Sequence, residues 1–92
     1  MIRSFKDKRV QRLFDGERVV EFQGFARQAE KRLRLLDAAD SLNALRMLPS
    51  NRFEALRGDR AGQYSIRVNR QWRTCFEWDD DGAQSVEIVD YH

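Results

Sequence analysis

Apolar residues recur every three or four positions through the first half of the chain and every second position through its last third. The helical spacing runs from Phe22 to Leu45, with charged side chains between the apolar ones, and this predicts an amphipathic helix. Its apolar positions are Phe22, Phe25, Ala26, Ala29, Leu33, Leu36, Ala39, Leu42 and Leu45. The stretch Asp37–Ser41 can divide this helix into two pieces, and Pro49 is expected to end helical structure near Leu48.

Two short elements are predicted ahead of this helix. Met1–Phe5 alternates apolar and polar residues, which is typical of a short strand. Asp7–Phe14 places Val10, Leu13 and Phe14 on one side of a brief helix. The N-terminal half is therefore expected to supply one strand and two or three helices.

Beyond Pro49 the apolar period changes to two. Alternation is clear in Tyr64–Val68, in Trp72–Trp78 and in Val86–Ile88, which predicts an antiparallel meander. Glycines punctuate this region at Gly58, Gly62 and Gly82. The expected order is one strand, two or three helices and four strands, giving an α+β fold in which the helices pack on one face of a small antiparallel β-sheet. A chain of 92 residues forms one domain, residues 1–92.

The loop Asn69–Gln71 sets the register of the two strands that it joins, because an odd loop places their large residues on one face. The facing pairs are then Val68 with Trp72, Ile66 with Thr74 and Tyr64 with Phe76. On the other face Arg67 lies opposite Arg73, and such a like-charge pair is mildly destabilising. A bound polyanion would relieve the repulsion; alternatively, Glu77 or Glu87 neutralises one guanidinium and forms a salt-bridge ladder.

The small net charge of +2 conceals a segregation of charge along the chain. The segment Arg46–Arg73 is rich in arginine and has only Glu54 and Asp59 as acids, and no Lys or Arg follows it. A basic cluster of this kind attracts nucleic acid, and the arginine fork suits phosphate; the alternative is a solvated surface. The acidic run Asp79–Asp81 before Gly82 is most simply a loop between strands.

Length and cysteine content exclude several classes of protein. A chain of this size buries one thin core and is too short for a Rossmann or barrel enzyme. Cys75 is the only cysteine and His92 the only histidine, so neither an intrachain disulfide nor a structural zinc site is expected. We expect no cofactor and no metal. The lack of disulfides, of a long apolar run and of a signal-like start predicts a soluble cytoplasmic protein that does not contact membranes.

The C-terminal half carries a recognisable set of motifs. These are Arg57–Gly62, Tyr64–Val68, Trp72-Arg73 and Glu87–His92, with Met1–Phe5 and Leu35–Ala39 fitting the same pattern. Together they resemble the HigB-type toxins of the RelE/ParE superfamily, which belong to type II toxin-antitoxin systems, over essentially the whole chain. The resemblance implies a RelE-like fold and an endonuclease that cleaves mRNA in the ribosomal A site without a metal, using the substrate 2′-OH as nucleophile. It also implies a helix-turn-helix antitoxin of the HigA kind, through which the complex would bind promoter DNA.

The resemblance also suggests which residues carry the reaction, which needs a proton acceptor, a proton donor and cations at the phosphate. Arg73 matches the family's phosphate-stabilising strand arginine, and Arg57, where relatives often have Lys, would join it. His92 matches the terminal histidine that some HigB-type toxins use and would transfer protons. Asp90 could orient or deprotonate His92. Glu54, at a position where relatives can carry His, is an alternative base.

Other residues are expected to bind RNA or to pack. Three arginines should contact the backbone of mRNA or ribosomal RNA, namely Arg60, Arg67 and Arg70. Tyr91 either stacks on a base or packs against the protein. Trp72 and Trp78 are expected to belong to the core, and Cys75, which nothing activates, is expected to have no role in the chemistry.

Two other functions stay open at this stage. One is a ParE-like toxin, in which the same fold poisons DNA gyrase and needs no proton-transferring terminus. The other is a catalytically decayed RNA-binding or antitoxin-partner module, which the departures at Arg57 and Glu54 would favour.

Overall fold

Helices form one layer and a four-stranded antiparallel sheet forms the other, as the sequence predicts. The computed structural model describes residues 1–80 and 82–90. The helices are α1 (Lys8–Phe14), α2 (Ala26–Ala38) and α3 (Leu42–Arg46), and the strands are β1 (Glu54–Ala55), β2 (Gln63–Arg67), β3 (Arg73–Asp79) and β4 (Gly82–Val89). The strands lie side by side in chain order. Within the described residues, no helix has the length and apolar character that a membrane crossing requires.

The predicted long helix is shorter at its start than its apolar spacing indicates. Residues Val20–Phe25 form a 3-10 turn, because Gly24 disfavours an α-helix in this stretch, and α2 begins only at Ala26. The predicted division is confirmed, since α2 ends at Ala38 and α3 begins after Ser41. The expected end near Leu48 is close: α3 stops at Arg46, and Pro49–Asn51 forms a further 3-10 turn.

The prediction of a strand at Met1–Phe5 is wrong. This segment forms only two isolated parallel bridges to β4, which pair Ile2 with Ala83 and Phe5 with Val86. The ladder is broken because β4 has a bulge between these positions, where Ser85 adopts a positive φ of 53°. The segment nevertheless lies along the outer edge of β4, where Arg3 N–H donates to the Ala83 carbonyl at 2.7 Å.

The register of β2 and β3 is the predicted one, with Arg67 opposite Arg73. β2 ends at Arg67 and β3 begins at Arg73, so each strand stops one residue short of the predicted loop. Val68 N–H nevertheless donates to the Trp72 carbonyl at 2.9 Å. Asn69 Oδ1 accepts hydrogen bonds from the N–H groups of Gln71 and Trp72, both at 2.8 Å. The loop is therefore held in one conformation by its own side chain.

The helices bury their apolar faces against one face of the sheet. The core contains Val10, Leu13, Val19, Phe22, Phe25, Ala29, Leu33, Leu36 and Leu45 from the helical layer and Ile66, Val68, Phe76, Ala83, Val86 and Ile88 from the sheet region. Trp72 and Trp78 pack against it, as predicted, and the Trp72 ring stacks on Phe25 with centroids 4.9 Å apart. We call the opposite face of the sheet the open face; it carries Glu54, Ser65, Arg67, Arg73, Cys75 and Glu87.

Candidate functional site

Arg73 begins β3, and its guanidinium lies across the open face. Its Nε donates to Ser65 Oγ at 2.8 Å and its Nη2 to the Ser65 carbonyl at 3.4 Å. The same Nη2 also donates to the carbonyl of Arg52. These acceptors are neutral, so they fix the orientation of the guanidinium, and over residues 1–80 and 82–90 no carboxylate forms an ion pair with it. A guanidinium held in this way is suited to bind the non-bridging oxygens of a phosphate.

The Arg67–Arg73 pair has no carboxylate partner in the described part of the chain. The salt-bridge ladder considered from the sequence is therefore wrong, since neither Glu77 nor Glu87 forms an ion pair with either guanidinium. Two like charges thus face each other across neighbouring strands, an arrangement that costs stability in the free protein. The cost is relieved when an anion binds between them.

Arg60, which lies outside the strands, has an acidic partner on the open face. It ends a 3-10 turn after β1, and its Nη1 lies 3.3 Å from Glu87 Oε2 and donates to Gln63 Oε1 at 3.0 Å. The amine of Lys6 lies 3.4 Å from the same carboxylate oxygen. Because its charge is partly balanced, Arg60 is a weaker candidate for RNA binding than Arg67, and its assigned role stays a prediction.

Cys75 lies in the middle of the open face and is 0% exposed. Burial raises the pKa of its thiol to about 11; the charges of Arg60 and Arg73 oppose this rise, and those of Glu87 and Glu54 add to it. The thiol is therefore neutral at physiological pH and is a poor nucleophile. Strand pairing brings three of these residues together, because Glu54 and Cys75 both pair with Ser65 and Glu87 pairs with Cys75.

Two predicted catalytic residues, Glu54 and Arg73, lie on different strands but near the same serine. Glu54 on β1 pairs with Ser65 of β2, and Ser65 is the residue that Arg73 contacts. Arg57 follows β1 and is exposed at the cap of the 3-10 turn Gly58–Arg60. Glu54 and Arg73 therefore share one region of the open face.

Asp90 lies at the same end of the sheet as the Arg67–Arg73 pair. Val89, just before it, pairs with Arg73, and Asp90 Oδ2 accepts a hydrogen bond from Gln71 Nε2 at 2.9 Å. The roles predicted for Tyr91 and His92 concern residues outside those that the structure describes. Over residues 1–80 and 82–90, no three His, Cys, Asp or Glu side chains are grouped so as to hold a metal ion.

A cleft of about 700 Å³ adjoins this end of the sheet. We call it the arginine cleft, because four arginines line it together with neutral residues; they are Arg32 of α2, Arg52 before β1, Arg67 of β2 and Arg70 of the β2–β3 loop. Arg32 is not among the site residues predicted from the sequence. The available signal is its place beside Leu33 at the flank of the apolar stripe of α2, which directs a long side chain to the helix edge.

Comparisons with known proteins agree over nearly the whole chain. The family model described as RelE-like toxin of type II toxin-antitoxin system HigB matches residues 3–92. Toxin HigB-1 of Vibrio cholerae serotype O1 is 37% identical over 90 residues, which cover 96% of this chain and 95% of the relative. Endoribonuclease HigB of Proteus vulgaris is 33% identical over 95 residues, which cover all of both chains.

Proposed function

The chain belongs to the HigB-like family of RelE-like toxins of type II toxin-antitoxin systems, and from this premise we propose that it is an endoribonuclease that cleaves mRNA on the ribosome. The observation that carries the proposal is Arg73, whose guanidinium is oriented by neutral acceptors, lies on the strand position opposite Arg67 and has no carboxylate partner among the described residues. The full-length match to a relative named an endoribonuclease supports the same activity.

The proposed reaction is a transesterification within the RNA. The substrate 2′-oxygen attacks the adjacent phosphorus, the bond from phosphorus to the 5′-oxygen breaks, and the products are a 2′,3′-cyclic phosphate and a 5′-hydroxyl. Negative charge builds on the non-bridging oxygens during the attack, and Arg73 stabilises it with two parallel N–H donors. Arg57 adds a second positive charge beside the same phosphate. No metal is required for these steps.

Proton transfer completes the reaction. One group must take the proton of the 2′-OH, and another must protonate the leaving 5′-oxygen. We assign this transfer to His92, with Asp90 orienting or deprotonating its imidazole and Glu54 as the alternative base. Glu54 lies beside Ser65, which Arg73 contacts, so a carboxylate base near the phosphate is compatible with the open face.

Membership of a type II toxin-antitoxin family implies an antitoxin partner. We propose that this partner is a HigA-like helix-turn-helix protein and that only the complex binds promoter DNA. The RNA substrate then binds the open face in the A site of the ribosome, where Arg60, Arg67 and Arg70 contact its backbone and Tyr91 a base. We propose a cytoplasmic location, because the ribosome-bound mRNA that it would cleave is there.

The test is cleavage of mRNA in programmed ribosomes, with free mRNA assayed beside it. Loss of a charge that stabilises the transition state should slow cleavage by about 10²–10³-fold in Arg73→Ala. Loss of the proton-transferring group should slow it by about 10²–10⁴-fold in His92→Ala. Arg34→Ala is the matched control, because Arg34 lies exposed on α2 and does not line the arginine cleft.

Four results would contradict the proposal or one of its parts. Equal cleavage of free and ribosome-bound mRNA would remove ribosome dependence. Growth arrest with intact transcripts and inhibited gyrase would indicate the ParE-like function, and the absence of both toxicity and cleavage would indicate a decayed binding module. Wild-type rates in Arg73→Ala would refute the assigned role of Arg73.

A further inference from the structure

We propose that the arginine cleft is a second phosphate-binding subsite, which holds a backbone phosphate of RNA at a distance from the phosphate that Arg73 engages. This inference rests on the proposed function, because it assumes that the anion on the open face is RNA. It adds Arg32 and Arg52 to the binding surface, and it gives RNA two points of attachment at one end of the sheet.

The arginines of the cleft lack carboxylate partners. Within the described residues, none of the four arginines forms an ion pair with a carboxylate, and the other lining residues are neutral. Burial and then the nearby guanidinium of Arg67 lower the pKa of Arg32. Cations gathered in a concave, partly buried space repel one another, and an anion with several acceptor oxygens removes that repulsion.

The guanidinium of Arg32 is held in place before any ligand binds. Its Nη1 donates to Asn51 Oδ1 at 2.8 Å and to Ser50 Oγ at 3.2 Å. Asn51 is 1% exposed, and its Nδ2 donates to the Leu45 carbonyl at 3.0 Å. The buried, uncharged side-chain amide of Asn51 therefore holds the guanidinium of Arg32 by a hydrogen bond. The remaining N–H groups of this guanidinium stay available for a ligand.

Arg52 connects the arginine cleft to Arg73. Arg52 adopts the left-handed conformation, with φ 42° and ψ 54°, which is unusual for a residue other than glycine. Its carbonyl accepts a hydrogen bond from Arg73 while the residue itself lines the cleft. Arg67 belongs to both the cleft and the Arg67–Arg73 pair. An RNA strand that places one phosphate at Arg73 can therefore continue into the cleft.

The experiment measures binding of a fluorescent single-stranded 2′-O-methyl RNA oligonucleotide, in which the nucleophile is blocked so that no cleavage occurs. Arg32→Gln and Arg70→Gln should each weaken binding by about tenfold, as expected when a charge-assisted hydrogen bond is lost. Each should also reduce the slope of log K against log salt by about 0.7, as expected for one phosphate of a single strand. The control Arg34→Gln, on the solvent side of α2, should change neither value appreciably.

A parallel arm uses vacant ribosomes in place of the oligonucleotide. Weaker binding of the oligonucleotide to Arg32→Gln and Arg70→Gln assigns the phosphate to mRNA, and weaker binding of vacant ribosomes alone assigns it to ribosomal RNA; both uphold the subsite. Unchanged affinity and slope in both arms overturn it. Loss of antitoxin affinity alone would also overturn it, because the cleft would then hold an acidic protein segment.

Two features keep this test separate from that of the proposed function. Binding is read without cleavage, so a protein that never cleaves mRNA can still pass or fail. Arg52 is exposed, lines the cleft and has no role in the proposed function, so Arg52→Gln, which should weaken oligonucleotide binding in the same way, decides the matter even where Arg32→Gln disturbs Asn51 and lowers the melting temperature. With cleavage active, Arg32→Gln should raise KM by a larger factor than it lowers kcat.

Discussion

Arg73 and Cys75 are separated by one residue on β3 and share the open face, yet their surroundings have opposite consequences. Arg73 is oriented by neutral oxygens on this face, whereas Cys75 is buried on it and remains a neutral thiol. The sequence predicted correctly that Cys75 is not activated. It gave no sign of the burial, because alternation along the strand indicates only that Cys75 shares a face with Arg73.

The buried thiol leads to a prediction about alkaline stability. The pKa of Cys75 is higher in the folded chain, about 11, than its ordinary value of 9.0, so the folded state keeps a proton that the unfolded state loses in this range. The free energy of unfolding should therefore fall as the pH rises from about 9 to 11. Cys75→Ala should lack this component, which urea unfolding of both proteins across that range measures. Parallel curves would contradict the prediction.

Individual elements depend on a few side chains at their ends, and α1 is the clearest case. Asp7 caps it by accepting a hydrogen bond from Arg9 N–H at 2.9 Å, and its carboxylate also pairs with the Arg9 guanidinium at 2.7 Å. The sequence predicted the helix but not this double use of one carboxylate. Because α1 is only seven residues long, its stability depends on the cap and on the burial of Val10 and Leu13.

Two substitutions separate the cap from the ion pair. Asp7→Ala should destabilise the protein by about 1 kcal/mol, and Asp7→Asn by less, since Asn also caps helices. The side-chain hydrogen bond from Arg9 lowers the pKa of Asp7 below 3.8. Its contribution is therefore complete above that pH and is lost as the pH falls through the lower, folded value. Acid titration of chemical stability should show a shallower loss in Asp7→Asn than in the wild type.

Gly82, at the start of β4, is the position where a methyl group should do the most damage. Its φ is 126°, and a Cβ would lie 2.1 Å from the Met1 carbonyl oxygen. We expect Gly82→Ala to lose at least about 2 kcal/mol of stability. Gly24→Ala is the control, because a Cβ there meets no atom within 4 Å. Equal melting temperatures for the two variants would contradict this, because the N-terminal segment would then move away from the added methyl group without loss of stability.

For the whole molecule, the sequence predicted the two layers and the strand register, because both follow from local periodicity. The Arg67–Arg73 pair followed from alternation and one odd loop. The arginine cleft did not, because Arg32 and Arg52 meet only through the folding of segments distant in the chain. The bulge at Ser85 was missed for a related reason: its conformation depends on Ser4, whose Oγ accepts from Ser85 N–H at 2.8 Å.

The segregated charge predicts that anions stabilise the free protein. The Arg67–Arg73 repulsion and the cleft arginines destabilise the fold until an anion binds, so ligand linkage should raise the melting temperature. The uncleavable 2′-O-methyl oligonucleotide should raise it by several degrees for the wild type and by less for Arg67→Gln. A comparison by differential scanning fluorimetry at equal ionic strength measures this, and equal shifts for both proteins would refute it.

The pairing of the N-terminal segment with β4 also affects the order in which the sheet assembles during translation. Ser4 and Gln84, joined by a side-chain hydrogen bond, are 80 positions apart in the chain, so the N-terminal segment is translated well before the strand it pairs with. Until β4 emerges from the ribosome, the first segment has no edge to lie against and β3 lacks one of its two neighbours. The open face therefore cannot assemble before β4 has emerged from the ribosome, so the phosphate-binding surface forms only after all four strands have been made.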